Sequence, residues 1–380
     1  MRHQSKLPNI GTTIFSVMSG LAKEYRAINL SQGFPDFGSD QKLIDLVNNA
    51  MNSGYNQYAP MAGSFELREA ISKKIQTLYN ASYHPENEIT ITAGATQAIS
   101  TILTTFIKPN DEVIIFKPAY DSYEPGVQIN GGKPISVQLQ APDFKINWQE
   151  VKEKITKRTK MIIINTPHNP SGMVFSKDDM LALQKLTRDT DIIVLSDEVY
   201  EHMVYDGLLH QSASMFPDLK LRSFVVASFC KTFHNTGWRM GYCCAPKPLM
   251  ALFMQVHQFN VFCVHHPTQK GIADYMKEPK HYLNLANFYQ GKRDLFLKLI
   301  KDSRFRFKPS SGTYFQVLDY SKITNEYDVD YAKRLTKEFR LASIPMSVFN
   351  ENNVDNKMLR FCFAKKDETL KQAAEILNKI

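Results

Sequence analysis

Short apolar runs punctuate the middle of the chain at regular intervals. They read ITITA at 89–93, VIIF at 113–116, PISV at 134–137 and MIIIN at 161–165, then IIVLS at 192–196, FVVAS at 224–228 and GYCCA at 241–245. Most are near-continuous rather than alternating. That pattern predicts strands buried on both faces, as in a parallel sheet covered by helices. Helical periodicity fills the gaps. Residues 63–79 carry Phe65, Leu67, Ala70, Ile71, Ile75 and Leu78 on one face, a second pattern begins at Ala95, and a third covers 177–188 with Ser176 as N-cap. Strand–helix alternation of this kind predicts an α/β sheet with crossover connections.

The texture changes after about residue 270. Helical patterns cover 269–276 and 282–300, two β-like segments follow at 313–318 and 358–363, and further helices are expected at 329–340 and 368–377. This predicts a smaller α+β domain behind the sheet domain. A chain of 380 residues is long enough for two cores.

Composition changes this picture little. Hydrophobic residues make up 43% and charged residues 22%, as expected for a globular chain. The net charge of +8 is spread thinly, with acidic residues interrupting the basic stretch at 152–160, so a nucleic-acid partner is not expected. Five cysteines without a C-x-x-C pair support neither a disulfide framework nor a thiolate zinc site, and no metal is expected. The start has no apolar signal core and no run reaches membrane-spanning length, so the expected location is the cytoplasm, with no membrane partner.

Ligands of open α/β sheets bind beyond the carboxyl ends of the strands. The residues after each predicted strand are therefore the candidates. After 89–93, Gly94-Ala95-Thr96 opens a helix, whose free N–H groups suit a phosphate. After 113–116, Tyr120 can present a ring at the sheet edge, or pack under its own loop. After 161–165, prolines and a glycine hold Asn169 in a rigid turn. After 192–196, Asp197 is a carboxylate at a buried strand end, needing a cationic or hydrogen-bonding partner such as a protonated pyridine nitrogen. Glu198 reads as a structural contact, and His202 as a surface or supporting histidine. After 224–228, Lys231 is a candidate for a lowered pKa and Schiff-base chemistry, with Ser228 and Arg239 able to flank a phosphate. Cys230 reads as a small buried filler.

These residues sit in segments that resemble a known family. SFCKTFHNTGWRMGY at 228–242 resembles the lysine motif of fold-type I aminotransferases of class I/II. NTPHNPSG at 165–172 resembles the family's Asn-Pro-x-Gly turn, and SDEVYEH at 196–202 its aspartate–tyrosine motif. The resemblance continues through NLSQGFPDF at 29–37, QYAPMAGSFELREAI at 57–71, ITAGATQAI at 91–99, KPAYDSYEP at 117–125, GTYFQV at 312–317 and LRFCFAKK at 359–366. The wording is most similar to bacterial methionine aminotransferases, then to kynurenine aminotransferase and glutamine transaminase K enzymes.

The resemblance implies an α/β fold: a mixed, mostly parallel seven-stranded sheet between helices, plus a small α+β domain. Residues 41–270 would form the large cofactor-binding domain, 271–380 the small domain, and 1–40 a segment joining the latter. It implies a pyridoxal 5'-phosphate enzyme moving an amino group between amino acids and 2-oxo acids by a ping-pong route. Lys231 would carry the cofactor as a Schiff base and shuttle the Cα proton. Asp197 would pair with the pyridine nitrogen, and Asn169 and Tyr200 would bond the phenolic oxygen. Ala95, Thr96, Ser228 and Arg239 would hold the phosphate, and Tyr120 would stack on the ring. Arg360 would clamp the substrate carboxylate beside Gly33.

The family is dimeric with shared sites, so Tyr58 would reach the phosphate of a second subunit. His265 aligns with a residue lining the partner's site in the kynurenine enzymes; the methionine enzymes differ there, so an ordinary interface histidine stays open as a reading. Aromatic residues such as Phe15, Phe34, Phe37 and Tyr58 would surround a roomy pocket for methionine, glutamine or aromatic side chains. β-Elimination from cysteine conjugates needs the same site and stays open. A regulator that senses the cofactor without catalysis is disfavoured, because the match begins near the first residue and leaves no preceding DNA-binding domain.

Overall fold

The computed structural model describes residues 5–8 and 10–380. The chain enters through a helix, Ile14–Glu24, capped by the Thr13 hydroxyl, and a two-residue strand β1 (Ile28–Asn29). Seven strands then build the main sheet: β2 (Ile89–Thr92), β3 (Glu112–Lys117), β4 (Lys133–Gln138), β5 (Thr159–Asn165), β6 (Ile193–Asp197), β7 (Ser223–Ser228) and β8 (Gly241–Cys244). Each corresponds to one of the apolar runs. Their order is β2-β8-β7-β6-β5-β3-β4. Strands β3 to β7 pair in parallel, whereas β8 runs antiparallel to both β7 and β2.

The near-continuous apolar runs follow from burial on both faces. Side chains alternate across a strand, so Val113, Ile115, Ile163, Leu195 and Val226 enter one core and Ile114, Phe116, Ile162, Ile164 and Val194 enter the other. The first core is closed by the helix Ala95–Phe106 and by Lys247–Asn260. The second is continuous with the C-terminal region through Tyr314, Phe361 and Leu370. Strand β4 is the exception: it forms the sheet edge, is half-exposed, and tolerates Pro134 there.

The C-terminal region holds an antiparallel sheet of β9 (Phe315–Asp319), β11 (Ile344–Pro345) and β12 (Met358–Cys362), in the order β11-β12-β9. Strand β10 (Leu341–Ala342) pairs in parallel with β1, which ties the N-terminal segment to this region. Two details differ from the sequence expectation. The helical pattern at 282–300 splits at Asn284 into Lys280–Leu283 and Leu285–Leu299. The strand expected from 313 starts at Phe315, because Thr313 sits at φ 65°, outside the extended region. Among the described residues, no helix is long and apolar enough to cross a membrane.

Register decides where chemistry can gather. Gly241, at the start of β8, lies between Ser228 at the end of β7 and Thr92 at the end of β2. Asn165 and Asp197 end β5 and β6 side by side. All of these positions therefore fall on one edge of the sheet.

Candidate active site

Every residue expected to hold cofactor or substrate, except Tyr58 and His265, lines one cavity of about 300 Å³ at this edge; Phe34 and Phe37, expected around the pocket, do not line it. That is the size of a small-molecule site. Its walls come from strand ends far apart in sequence.

At the β2 end, Gly94 caps the helix Ala95–Phe106 with φ +80°. A Cβ there would stand 2.6 Å from Nη2 of Arg239. Glycine thus lets the guanidinium lie against the helix N-terminus, where free N–H groups and the positive end of the helix dipole gather. Arg239 itself is held at φ 53° and donates from Nη1 to the Thr236 carbonyl at 3.3 Å. Ser228 and the exposed Thr96 complete this corner.

At the next strand ends, Tyr120 sets its ring edge-on to Tyr123, centroids 5.7 Å apart. Tyr123 in turn donates from its hydroxyl to Oδ2 of Asp197 at 2.5 Å, while the Val199 N–H donates to Oδ1 at 3.2 Å. Asp197 is 3% exposed. Burial pushes its carboxyl up to about 6, and Tyr123, Val199 and Lys231 pull the other way. Asn165 braces the arrangement: its Nδ2 donates to the Asp197 carbonyl at 2.9 Å and its Oδ1 accepts the Asn169 N–H at 2.7 Å.

Lys231 lies in the short helix Phe229–Thr232, just past β7. Its Nζ donates to the Tyr314 hydroxyl at 2.9 Å and to the Gly33 carbonyl at 3.3 Å. Burial lowers its ammonium to about 8, and the cations Arg360 and Arg239 push the same way. The ring of the buried Tyr200 stands edge-on to that of Tyr314 at 5.2 Å. Burial drives the Tyr200 phenol well above its usual value, so it remains a hydroxyl.

Arg360, on β12, closes the cavity from the C-terminal region and is 1% exposed. Nη1 donates to Oδ1 of Asn169 at 2.7 Å and Nη2 to the Ser31 carbonyl at 3.1 Å, while the buried Nε has no partner. Its guanidinium stacks 3.9 Å from the Phe315 ring centroid, with Phe15 at 5.3 Å and Phe349 at 5.6 Å. A buried cation with an unused donor in an aromatic frame suits a carboxylate.

Tyr58 and His265 lie elsewhere. Both line a second, more open recess, where Tyr58 is 78% exposed against Phe262 and His265 Nδ1 meets the Thr268 hydroxyl at 2.7 Å. Of the two readings of His202, surface or supporting, the structure excludes the first. Its side chain, 8% exposed, is tucked beside Glu201 and Lys74, and desolvation lowers its pKa to about 3. Glu198 is structural as expected, accepting from the Ser196 hydroxyl at 2.7 Å and the Ala213 N–H at 2.9 Å. Cys230 is buried, and its thiol is pushed up by that burial. Sequence reasoning missed Tyr123, Asn165 and Tyr314. All three sit inside the quoted motifs, where adjacency to a singled-out residue was the only available signal.

A phosphate corner at a glycine-capped helix, a buried carboxylate across from it, a buried lysine with a depressed pKa and an unpaired arginine donor together fit pyridoxal phosphate and an amino-acid carboxylate. The family described as aminotransferase class I and II matches residues 25–377. The chain belongs to this family and is a pyridoxal-phosphate-dependent aminotransferase acting on amino acids and 2-oxo acids.

Among its relatives, methionine aminotransferase of Escherichia coli K12 is 45% identical over 378 residues, covering 99% of this chain and 98% of that protein. The crystal structure of YbdL from Escherichia coli, reported with a methionine aminotransferase function, superposes with a TM-score of 0.98 at 44% identity, covering both chains fully. Human kynurenine–oxoglutarate transaminase 3 is 30% identical over 403 residues, covering 98% of this chain and 89% of that protein.

Proposed function

We propose that this aminotransferase takes its amino group from methionine and similar uncharged amino acids. The observation that carries the reading is the aromatic frame of Phe15, Phe315 and Phe349 around Arg360. It leaves one cation for the α-carboxylate, and Phe15 and Phe315, which also line the cavity, offer an apolar wall for the side chain. The full-length likeness to a methionine aminotransferase points the same way.

When bound, the cofactor supplies the electron sink for breaking the bond from Cα to hydrogen. The chain's own residues do the rest. Asp197, held by Tyr123 and Val199, offers a carboxylate to a protonated ring nitrogen and keeps it protonated. The helix N-terminus at Ala95 and Thr96, with Ser228 and Arg239, holds the phosphate. Asn169 and Tyr200 address the phenolic oxygen, and Tyr120 covers the ring face. Arg360 fixes the substrate carboxylate beside Gly33, aiming the Cα–H bond. Lys231, neutral for part of its population near pH 8, takes that proton and returns it on the other side.

The reading extends to the assembly. The exposed Tyr58 packs edge-on against Phe262, and Phe259 nearby in sequence is 86% exposed; these aromatic groups suit a second copy of the chain, whose site Tyr58 and His265 would then reach. Residues 41–270 would then be the cofactor-holding domain, and 1–40 with 271–380 the part that carries Gly33 and Arg360. All five thiols are free, which suits the cytoplasm.

The test is spectroscopic. With pyridoxal phosphate bound, L-methionine should abolish the visible absorption band and 2-oxo-4-methylthiobutanoate should restore it. Faster turnover of aspartate than of methionine would overturn the substrate assignment. Likeness to the kynurenine enzyme supports a second reading, and turnover of kynurenine above that of methionine would favour it.

A further inference from the structure

Lys231 must be a base with its lone pair free and aimed, and a flexible four-carbon stem does not secure that alone. We propose that Tyr314 is the positioning residue that aims it, by occupying one of the amine's N–H bonds while never donating to its lone pair. This rests on the reading of Lys231 as the proton carrier.

Counting protons fixes the direction of each bond. Tyr314 lies just before β9, its ring fully buried between Tyr200, Tyr289 and Phe315, with centroids at 5.2, 5.7 and 4.9 Å. Its hydroxyl oxygen stands 2.5 Å from the Gly33 carbonyl oxygen. The carbonyl has no proton to give, and two bare oxygens would repel at that distance, so the phenol proton lies between them. A hydroxyl has one proton. Toward Lys231 Nζ, 2.9 Å away, Tyr314 can therefore only accept. Ionisation offers no escape, because burial drives the phenol pKa well up and the neighbouring Tyr200 adds to the shift.

The second N–H of the amine meets the Gly33 carbonyl at 3.3 Å. A neutral amine has two N–H bonds and one lone pair. With both N–H bonds taken by acceptors on the same side, the lone pair points away from Tyr314 and Gly33. The same triangle ties three separate parts of the chain together: the N-terminal segment at Gly33, the lysine helix and the start of β9. The charged groups acting on this nitrogen are Asp197 on β6, Arg360 on β12 and Arg239 after the lysine helix. The thiols of Cys230 and Cys362 and the phenol of Tyr200 complete its titratable surroundings.

The variant Tyr314→Phe keeps the ring and its packing but removes the acceptor. Washout of the methionine Cα proton into deuterated solvent, followed by NMR on the loaded enzyme, should slow about tenfold or more, within the range expected for a misaimed general base. KM should stay within about twofold, because Arg360 still holds the carboxylate. In cofactor-free protein, the pH midpoint for acylation of Lys231, read by peptide mass spectrometry, should move to lower pH, since the ammonium loses an acceptor.

Unchanged washout together with an unchanged acylation midpoint in Tyr314→Phe would overturn the assignment. Absence of washout in the unmodified enzyme would instead strike at the role of Lys231 itself. If Tyr314→Phe does not fold, 3-fluorotyrosine at 314 keeps the test: its poorer acceptor should shift both readouts in the same directions by smaller amounts, and no shift in either would overturn the proposal.

Discussion

Asp197 holds an ionisable carboxyl at a fully covered strand end, and burial raises it from 3.8 to about 6. The sign of the consequence follows from proton binding. Between these values the folded cofactor-free chain keeps a proton that the unfolded chain has released, so stability falls as pH rises through that window and the penalty persists above it. Cofactor-free Asp197→Asn should therefore melt at a higher temperature than the parent near pH 7 and at a similar one near pH 4. The same variant should lose roughly 100-fold or more of its transamination, because a neutral amide cannot hold a protonated ring nitrogen. Thermal melts across pH, paired with turnover, check both halves. At this scale the sequence was informative about identity and poor about surroundings. Asp197 and Lys231 could be singled out as charged groups at strand ends, and Arg360 through the family resemblance, but the hydroxyl of Tyr123 on Asp197 and that of Tyr314 on Lys231 join positions 74 and 83 residues apart.

Strand and helix ends do most of the work at the scale of elements. The turn after β2 must bring a helix N-terminus against Arg239, and only a residue without Cβ allows that approach at a positive φ. Gly94→Ala adds both a left-handed strain and a collision with a guanidinium. Costs of this kind run to about 1–3 kcal/mol, so affinity for pyridoxal phosphate should weaken roughly tenfold, measured by equilibrium dialysis, with the fold retained. Element positions were legible because their causes are local. Buried β-branched runs mark strands, Ser176 marks a helix start, and the structure shows a capping box there with Asp179. The direction of β8 was not legible locally: GYCC reads alike in either sense, and its pairing with β2 and β7 decides it.

For the whole molecule, the exposed aromatic residues Tyr58, Phe262 and Phe259 bear on assembly. Phe259→Glu places a charge in the proposed contact. Sedimentation should then show monomer in place of dimer, with transamination lost because Tyr58 no longer reaches a neighbouring site; a dimer of full activity would refute the shared-site arrangement. The sequence by itself determined the seven strands, some of the helices between them, the family and most of the residues that meet in the cavity. It could do so because hydrophobic periodicity and motif chemistry are written over spans of a few residues. Only the tertiary structure decided what those residues meet. Burial pushes Glu201 up, yet Lys74, reaching it from the helix Phe65–Tyr79, acts with His202 and the Tyr79 hydroxyl to outweigh that and hold the carboxyl well below its usual range. Arg360 likewise finds Asn169 across 191 residues of chain. Desolvation and pairing at such separations depend on how layers pack, and no local run of sequence carries that information.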